Sequence, residues 1–239
     1  MEEETNWEGM GQRPWDKLVP EILELVFRHC SLQEKLSVIP SVCKSWVRVV
    51  GSPYFWQHID IMKWSTDDNV DKEARIRMLS MLLTRNNSSS GLLKTLSICC
   101  NLKMPMSFIK DSIVIENASK LSNLRYLDVS YCHKIGAPAL EAIGKQCKYL
   151  TGLRKAMMFR KDHGYYFDDE ALAIAATMPK LKHLEIPRSW FTSMDPVFTI
   201  ISCCTQLEFL DLKDELGQER EIQVSKTTMH ECCSSALLA

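Results

Sequence analysis

The chain has 239 residues, 46% hydrophobic and 25% charged, with net charge -1 and an isoelectric point near 6.6. That is ordinary globular usage with room for a large core; the near-neutral charge sets up no global field for nucleic acid, and no apolar run approaches the roughly 18 residues of a membrane span. The N-terminus, Met1-Glu2-Glu3-Glu4, is acidic where a secretory signal is basic and apolar, so the ten cysteines are expected to be reduced thiols in the nucleus and/or cytoplasm.

Residues 1–12 read as a flexible acidic terminus. After Trp15 and Pro20, the stretch Glu21-Ile22-Leu23-Glu24-Leu25-Val26-Phe27 puts Ile22, Leu25 and Val26 on one helical face with Leu23 and Phe27 beside them. Pro20 suits the first turn of that helix. A second stretch, Leu32 to Ile39, is expected to end or kink at Pro40. A third runs from Val42-Cys43-Lys44-Ser45-Trp46 to Val50 and closes at Gly51 and Ser52-Pro53, ahead of Trp56. Three short helices in some forty residues make a core too small to be comfortable alone, and the apolar surplus calls for a partner.

Residues 63–90 read as a connector: a helix carrying Ala74, Ile76, Met78, Leu79, Leu82 and Leu83, then a loop from Asn86-Asn87-Ser88-Ser89-Ser90. Beyond it the pattern Leu-x-x-Leu-x-apolar recurs at Leu93/Leu96/Ile98, Leu124/Leu127/Val129, Leu150/Leu153, Leu181/Leu184/Ile186 and Leu207/Leu210/Leu212. The first leucines stand about 31, 26, 31 and 26 residues apart, the span of one strand plus one return helix. A unit of that length cannot bury its own apolar face and must stack on its neighbours. Leu140 and Ile143 supply the helix of the second unit, Cys132 or Asn101 fills the turn after the strand, and Cys147 and Cys204 fill a buried slot at the helix end. Met158, Ser189 and Glu215 in the turn position imply less regular turns. Arg125, Asp128, Lys182, Glu185, Glu208 and Asp211 alternate with the leucines and are expected to face outward.

The third unit departs from the pattern. Lys155 stands where an apolar strand residue belongs, and Met157 to Phe167 mixes rings with basic residues before Asp168-Asp169-Glu170 opens a helix. Arg154, Phe159, Arg160, Tyr165 and Tyr166, with Arg188 and Trp190 after the fourth strand, are the candidate binding residues, since aromatic and arginine side chains dominate interface hot spots. Residues 219–239 carry no leucine pattern and are expected to be a disordered tail. No catalytic constellation is present: no glycine-rich phosphate loop, no G-x-S-x-G, no histidine pair at metal spacing, and adjacent cysteines rather than C-x-x-C. Neither catalytic nor metal-ligating residues are expected, and no cofactor.

Leu18-Val19-Pro20-Glu21-Ile22-Leu23, Val26-Phe27, Leu36, Val42-Cys43-Lys44-Ser45-Trp46 and Phe55-Trp56 together resemble the F-box, and with cysteine-type repeats behind them the chain resembles a plant F-box/leucine-rich-repeat protein over roughly residues 13 to 215. Val19 departs from the usual leucine before the proline. The resemblance implies an α/β chain: a small all-α F-box at 13–62, then a short leucine-rich-repeat solenoid of about five cysteine-type repeats at 91–218. It also implies a non-catalytic substrate receptor of a Skp/cullin/F-box ubiquitin ligase. The F-box would dock on a Skp-type adaptor, and through it on a cullin, using Leu18, Pro20, Ile22, Leu23, Val26 and Phe27, supported by Leu36, Val42 and Trp46. The repeats would hold a protein substrate, with no membrane involved and nucleic acid disfavoured. The alternatives are an F-box scaffold outside any ligase and a shortened form that competes for the adaptor.

Overall fold

A computed structural model describes residue 15 and residues 18–61, 92–98, 109–157, 166–212 and 221–222. The chain divides into two compact units, residues 1–56 and 57–239. The expected connecting helix and loop, the acidic terminus and the turn residues Asn101, Met158 and Glu215 lie outside the described residues.

The first unit is helical. α1 (Pro20–Arg28) starts on a proline, with Glu21 in its first turn and Arg28 in its last, each matching the helix dipole. α2 (Leu32–Leu36) opens on a reciprocal cap: the Ser31 hydroxyl accepts from the Glu34 amide, and the Glu34 carboxylate accepts from the Ser31 amide at 2.7 Å. The Ser31 hydroxyl, which donates to that carboxylate at 2.8 Å, and then the Ser31 amide hold the Glu34 carboxyl below its ordinary range. The break expected at Pro40 falls earlier. α2 ends at Leu36, and Pro40 sits in the first turn of a new one-turn helix, α3 (Ile39–Val42), where its missing amide costs nothing. Extended Cys43 then turns the chain into α4 (Lys44–Gly51), followed by a 3-10 turn at Pro53–Trp56.

Leu23, Phe27, Leu32, Ile39, Val49, Val50, Phe55 and Trp56 form this unit's core. Phe27 is its hub, meeting Trp46 edge-on at 4.8 Å between ring centroids and Phe55 at 6.3 Å. The Trp56 indole donates to the Val50 carbonyl at 2.7 Å, which satisfies a buried polar atom.

The second unit is α/β, built on one sheet whose strands lie in chain order: β1 (His58–Asp60), β2 (Thr95–Ser97), β3 (Tyr126–Asp128), β4 (Gly152–Arg154), β5 (His183–Glu185), β6 (Phe209–Asp211) and β7 (Glu221–Ile222). β1 to β6 pair in parallel with one register, so Ile59, Leu96, Leu127, Leu153, Leu184 and Leu210 form a single buried ladder. Six parallel strands are therefore described where the leucine pattern marked five. The extra one, His58–Asp60, has isoleucine in place of the ladder leucine and belongs with the sheet, so the expected module boundary at residue 62 moves back to Trp56. The tail also departs from expectation, because Glu221–Ile222 adds an antiparallel strand to β6, whose outer edge otherwise offers unpaired backbone groups.

The return helices pack behind the sheet: α5 (Asp111–Asn117) with a 3-10 turn at Ala118–Leu121, α6 (Ala137–Gln146), α7 (Asp168–Thr177) and α8 (Asp195–Cys203). The first leucines of all five patterned units are buried, as are Leu140 and Ile143. α6 and α7 approach closely at Gly144, where an added Cβ would lie 2.5 Å from the Thr177 Cβ and 3.0 Å from the Met178 Cγ. The Thr177 hydroxyl is tied to the Ala173 carbonyl at 2.6 Å and is not free to swing away. Gly144→Ala is therefore expected to lower the melting temperature, because overpacking of about 1–3 kcal/mol exceeds the ~1 kcal/mol gain in helix propensity. A raised melting temperature would show that the two helices separate cheaply.

Cys147 and Cys204 fill buried slots as expected, and Cys132 is buried in its turn. Cys132 donates its thiol to the Ile98 carbonyl and Cys204 to the Met178 carbonyl. Burial pushes the Cys147 and Cys204 thiols up to about 12, whereas the neighbouring Cys203 is exposed. Since the thiolate is the reactive form, iodoacetamide near pH 8 is expected to label Cys203 and spare Cys204 until denaturant is added. Peptide mass spectrometry reads the difference, and equal native labelling would overturn it.

Candidate functional site

α1 divides its apolar residues between two adjacent arcs. Leu23 and Phe27, four apart, point into the core at 1% exposure each, while Ile22, Leu25 and Val26 stay 44%, 54% and 48% exposed, with Val19 one turn earlier. Val38 and Val42 flank α3, and Val47 on α4 is exposed as well. A small helical unit that leaves so many branched side chains in water carries an interaction surface. Beside it, Pro20, Glu21, Glu24, Ser45, Arg48 and Val49 line a groove of about 520 Å³ between α1 and α4.

The sequence-derived anchors separate on this geometry. Pro20, Ile22, Val26 and Val42 are exposed, and Leu18 and Leu36 are half-buried. Leu23 and Phe27 are corrected from surface anchors to core residues, because the i, i+4 pair is what α1 turns onto the other helices. Trp46 is half-buried against Phe27, and its indole nitrogen is shielded with no hydrogen-bond partner among the described residues. Sequence reasoning left Val19, Leu25, Val38 and Val47 out of the adaptor anchors. The helical periodicity of α1 already placed Leu25 with Ile22 and Val26, and that was the available signal.

In the second unit, Tyr166 and Trp190 come together. The Phe167 amide donates to the Trp190 carbonyl at 2.7 Å, the Thr192 amide donates to the Asp168 carboxylate, and buried Phe167 meets Phe191 edge-on at 5.9 Å. This clamp holds both rings outward, Tyr166 at 49% and Trp190 at 59% exposure. Arg188, just before them, takes a left-handed backbone at φ 61°, matched by Tyr131 at φ 62° in the equivalent turn two strands away. Phe159, Arg160 and Tyr165 lie outside the described residues.

Arg154 is not an unengaged cation: its guanidinium meets the Glu185 carboxylate at 3.2 Å on the next strand. Lys182 likewise pairs with Glu208 at 2.7 Å, which lowers the Glu208 carboxyl. Asp128, expected to face outward, is buried and accepts from the Ser130 amide at 2.9 Å. Sequence reasoning passed over the uncharged outward row Tyr126, Gly152, His183 and Phe209, whose signal was a ring in the same strand position of three units.

The cation in the third unit turns inward. Lys155 is fully buried, its ammonium 5.7 Å from the centre of the Phe167 ring and 3.5 Å from the Met157 sulfur. Burial pushes it down, opposed by the nearby Glu170, Cys132 and Asp111; burial pushes Glu170 up, opposed chiefly by Lys155. Asp111 accepts the Gly136 amide at 2.8 Å. This buried charge cluster belongs to the packing of the unit. Among the described residues, no group of three histidine, cysteine or acidic side chains could hold a metal ion, and no helix is long and apolar enough to cross a membrane.

Residues 15–58 match the F-box domain family. The chain is 44% identical over 224 residues to the F-box protein FBW2 of Arabidopsis thaliana, covering 84% of this chain and 68% of that protein. It is 29% identical over 234 residues to the F-box protein SKIP1 of the same plant, covering 83% of this chain and 78% of that one. A third Arabidopsis protein, putative F-box/LRR-repeat protein 23, is 31% identical over 225 residues, 84% of this chain and 48% of the other.

Proposed function

Because the chain belongs to the F-box protein family of plants, we propose that it is a substrate-recognition subunit of a Skp/cullin/F-box ubiquitin ligase, its helical unit docking on a Skp-type adaptor and its sheet unit holding the protein to be ubiquitinated. The observation that carries this reading is the exposed apolar face of Ile22, Leu25, Val26, Val38 and Val42 on a unit that matches the F-box. Burying five such side chains against a partner removes several hundred Å² of apolar surface, worth roughly 25 cal/mol per Å². Pro20, Leu18, Leu36 and Trp46 would border that contact.

The sheet unit is read as a leucine-rich-repeat solenoid. Its recurring buried ladder, its chain-ordered parallel strands and its similarity to putative F-box/LRR-repeat protein 23 support that reading. Arg154, Tyr166, Arg188 and Trp190, with Phe159, Arg160 and Tyr165, would contribute to the substrate surface. In this role the protein makes and breaks no bond. It holds a substrate lysine near a ubiquitin-charged conjugating enzyme and raises the effective concentration of the reacting pair. A nuclear or cytoplasmic location fits that work.

Co-purification with a Skp-type adaptor and a cullin tests the proposal. The wild type is expected to bring down both, and an Ile22→Asp/Val26→Asp variant, whose substitutions lie on the surface, is expected to keep its melting temperature and lose the adaptor. A folded wild type that fails to bind would overturn the ligase reading. Binding of adaptor without cullin would favour a scaffold outside the ligase.

A further inference from the structure

The register of β3 to β6 sets Tyr126, Gly152, His183 and Phe209 in one row across the sheet, on the side opposite the buried leucine ladder. The Tyr126 ring lies over Gly152: a Cβ at that residue would stand 2.6 Å from the ring's Cδ2. A ring therefore occupies the space that a side chain on β4 would take. The row continues through exposed His183, whose ring centre is 6.0 Å from that of half-exposed Phe209. From β3 to β6 this makes a strip of rings and bare backbone about 14 Å long, three strand spacings.

Charge borders the strip. At one end of the strands Arg125 and Lys182 precede the rings Tyr126 and His183, Glu208 precedes Phe209, and Lys94 holds the same position ahead of β2. Lys182 is neutralised by Glu208, whereas exposed Arg125 and half-buried Lys94 have no ion pair among the described residues. The Arg125 backbone is fixed, its carbonyl accepting from the Thr151 amide, the Gly152 amide and the Thr151 hydroxyl. On the other side the Arg154–Glu185 pair closes the border. An apolar centre rimmed by paired charges, with an unpaired guanidinium at one flank, has the anatomy of a binding hot spot.

We propose that this strip is the anchor point for the substrate, and that its occupant is a protein segment carrying an aromatic or aliphatic side chain next to an acidic one. The apolar side chain packs on Tyr126, His183 and Phe209, and the neighbouring carboxylate meets the Arg125 guanidinium, a charge-assisted pairing. Gly152 serves specificity by leaving the space that the Tyr126 ring occupies, so the platform exists before the partner arrives. The inference rests on the receptor reading above and names the chemistry that the receptor selects.

A random peptide library displayed on phage, panned against the full chain in complex with its Skp-type adaptor and in parallel against the full chain alone, tests it. Enriched peptides are expected to share an aromatic or aliphatic residue beside Asp or Glu. A synthetic consensus peptide is expected to lose tenfold or more in affinity on Phe209→Ser, by the scale of a hot-spot truncation. Arg125→Glu, at an exposed position, is expected to reverse the preference from an acidic to a basic neighbour, which a purely structural role for Arg125 would not do. Both variants are expected to keep the wild-type melting temperature and adaptor binding. No enrichment, a consensus without an apolar anchor, or a consensus-peptide affinity left at the wild-type value by Phe209→Ser or by Arg125→Glu would overturn the proposal. A consensus found on a chain that does not bind the adaptor would leave the strip standing and remove the ligase reading, and adaptor binding with no consensus would do the reverse.

Discussion

Phe27→Ala is expected to unfold the helical unit rather than merely weaken its surface. Phe27 is 1% exposed and meets both Trp46 and Phe55 edge-on, so its truncation removes the hub of a core with few other large members. Phenylalanine-to-alanine changes in cores cost about 3–5 kcal/mol, which is comparable with the whole stability of a unit this small. Denaturant titration of the full chain is expected to show a separate early transition for this unit, accompanied by loss of adaptor binding. Ile22→Asp/Val26→Asp is expected to lose the adaptor with no such transition. The contrast matters because both variants abolish binding and only the melt tells a lost core from a lost contact. A Phe27→Ala chain that melts like the wild type would mean that Trp46 and Phe55 close over the vacancy.

The second large effect is expected at the buried cluster of the third unit. Lys155 is fully buried and Glu170 is 3% exposed, and each offsets part of the other's desolvation. Lys155→Met removes the cation that offsets burial of the Glu170 carboxyl, with Asp111 nearby, and is expected to cost about 3–5 kcal/mol near pH 7. Replacing both, as Lys155→Met/Glu170→Leu, is expected to recover most of that loss, since a buried ion pair is often matched by well-packed apolar groups. The pH dependence of the single variant has a definite sign. A carboxyl whose folded pKa is raised stabilises the fold fully below its unfolded value, about 4.3, and that contribution is lost as pH rises through the folded value. The deficit of Lys155→Met relative to wild type is therefore expected to be smallest in acid and to grow toward neutrality. Additive single effects in the double-mutant cycle would show that Lys155 and Glu170 do not act on each other.

Periodicity carried the reading of the fold a long way. The spaced leucines located five of the six parallel strands, because a buried ladder needs the same residue type at the same place in each unit and leaves that mark in the chain. His58–Asp60 escaped because a single isoleucine in a three-residue strand carries no pattern of its own. Pro40 was read as a terminator when it begins a helix, since proline is compatible with both ends and only the backbone around Ser37 and Val38 distinguishes them. Cys147 and Cys204 were legible as buried slots from their substitution by other small or apolar residues among the units, and Cys132 from its place in the turn after the strand.

The candidate sites were less legible, for a physical reason. On α1 the sequence by itself determined an apolar arc, but which part of it faces the core depends on where α4 and the Pro53–Trp56 turn come to lie, and that placement put Leu23 and Phe27 inside and Ile22 and Val26 outside. For Lys155 the sequence marked an exception to the pattern, and only the packing of Phe167, Met157 and Glu170 around it decided that the charge points inward. The row from Tyr126 to Phe209 exists only through register, which aligns residues roughly 26 to 31 apart in the chain. Spacing determined the helical unit and the strand ladder, because those arise from local periodicity and from repeated burial of one face, and the family was legible as a resemblance of particular residues to the F-box. Which side chains are left to meet a partner was decided by tertiary structure alone, because exposure is what remains after distant segments have covered one another.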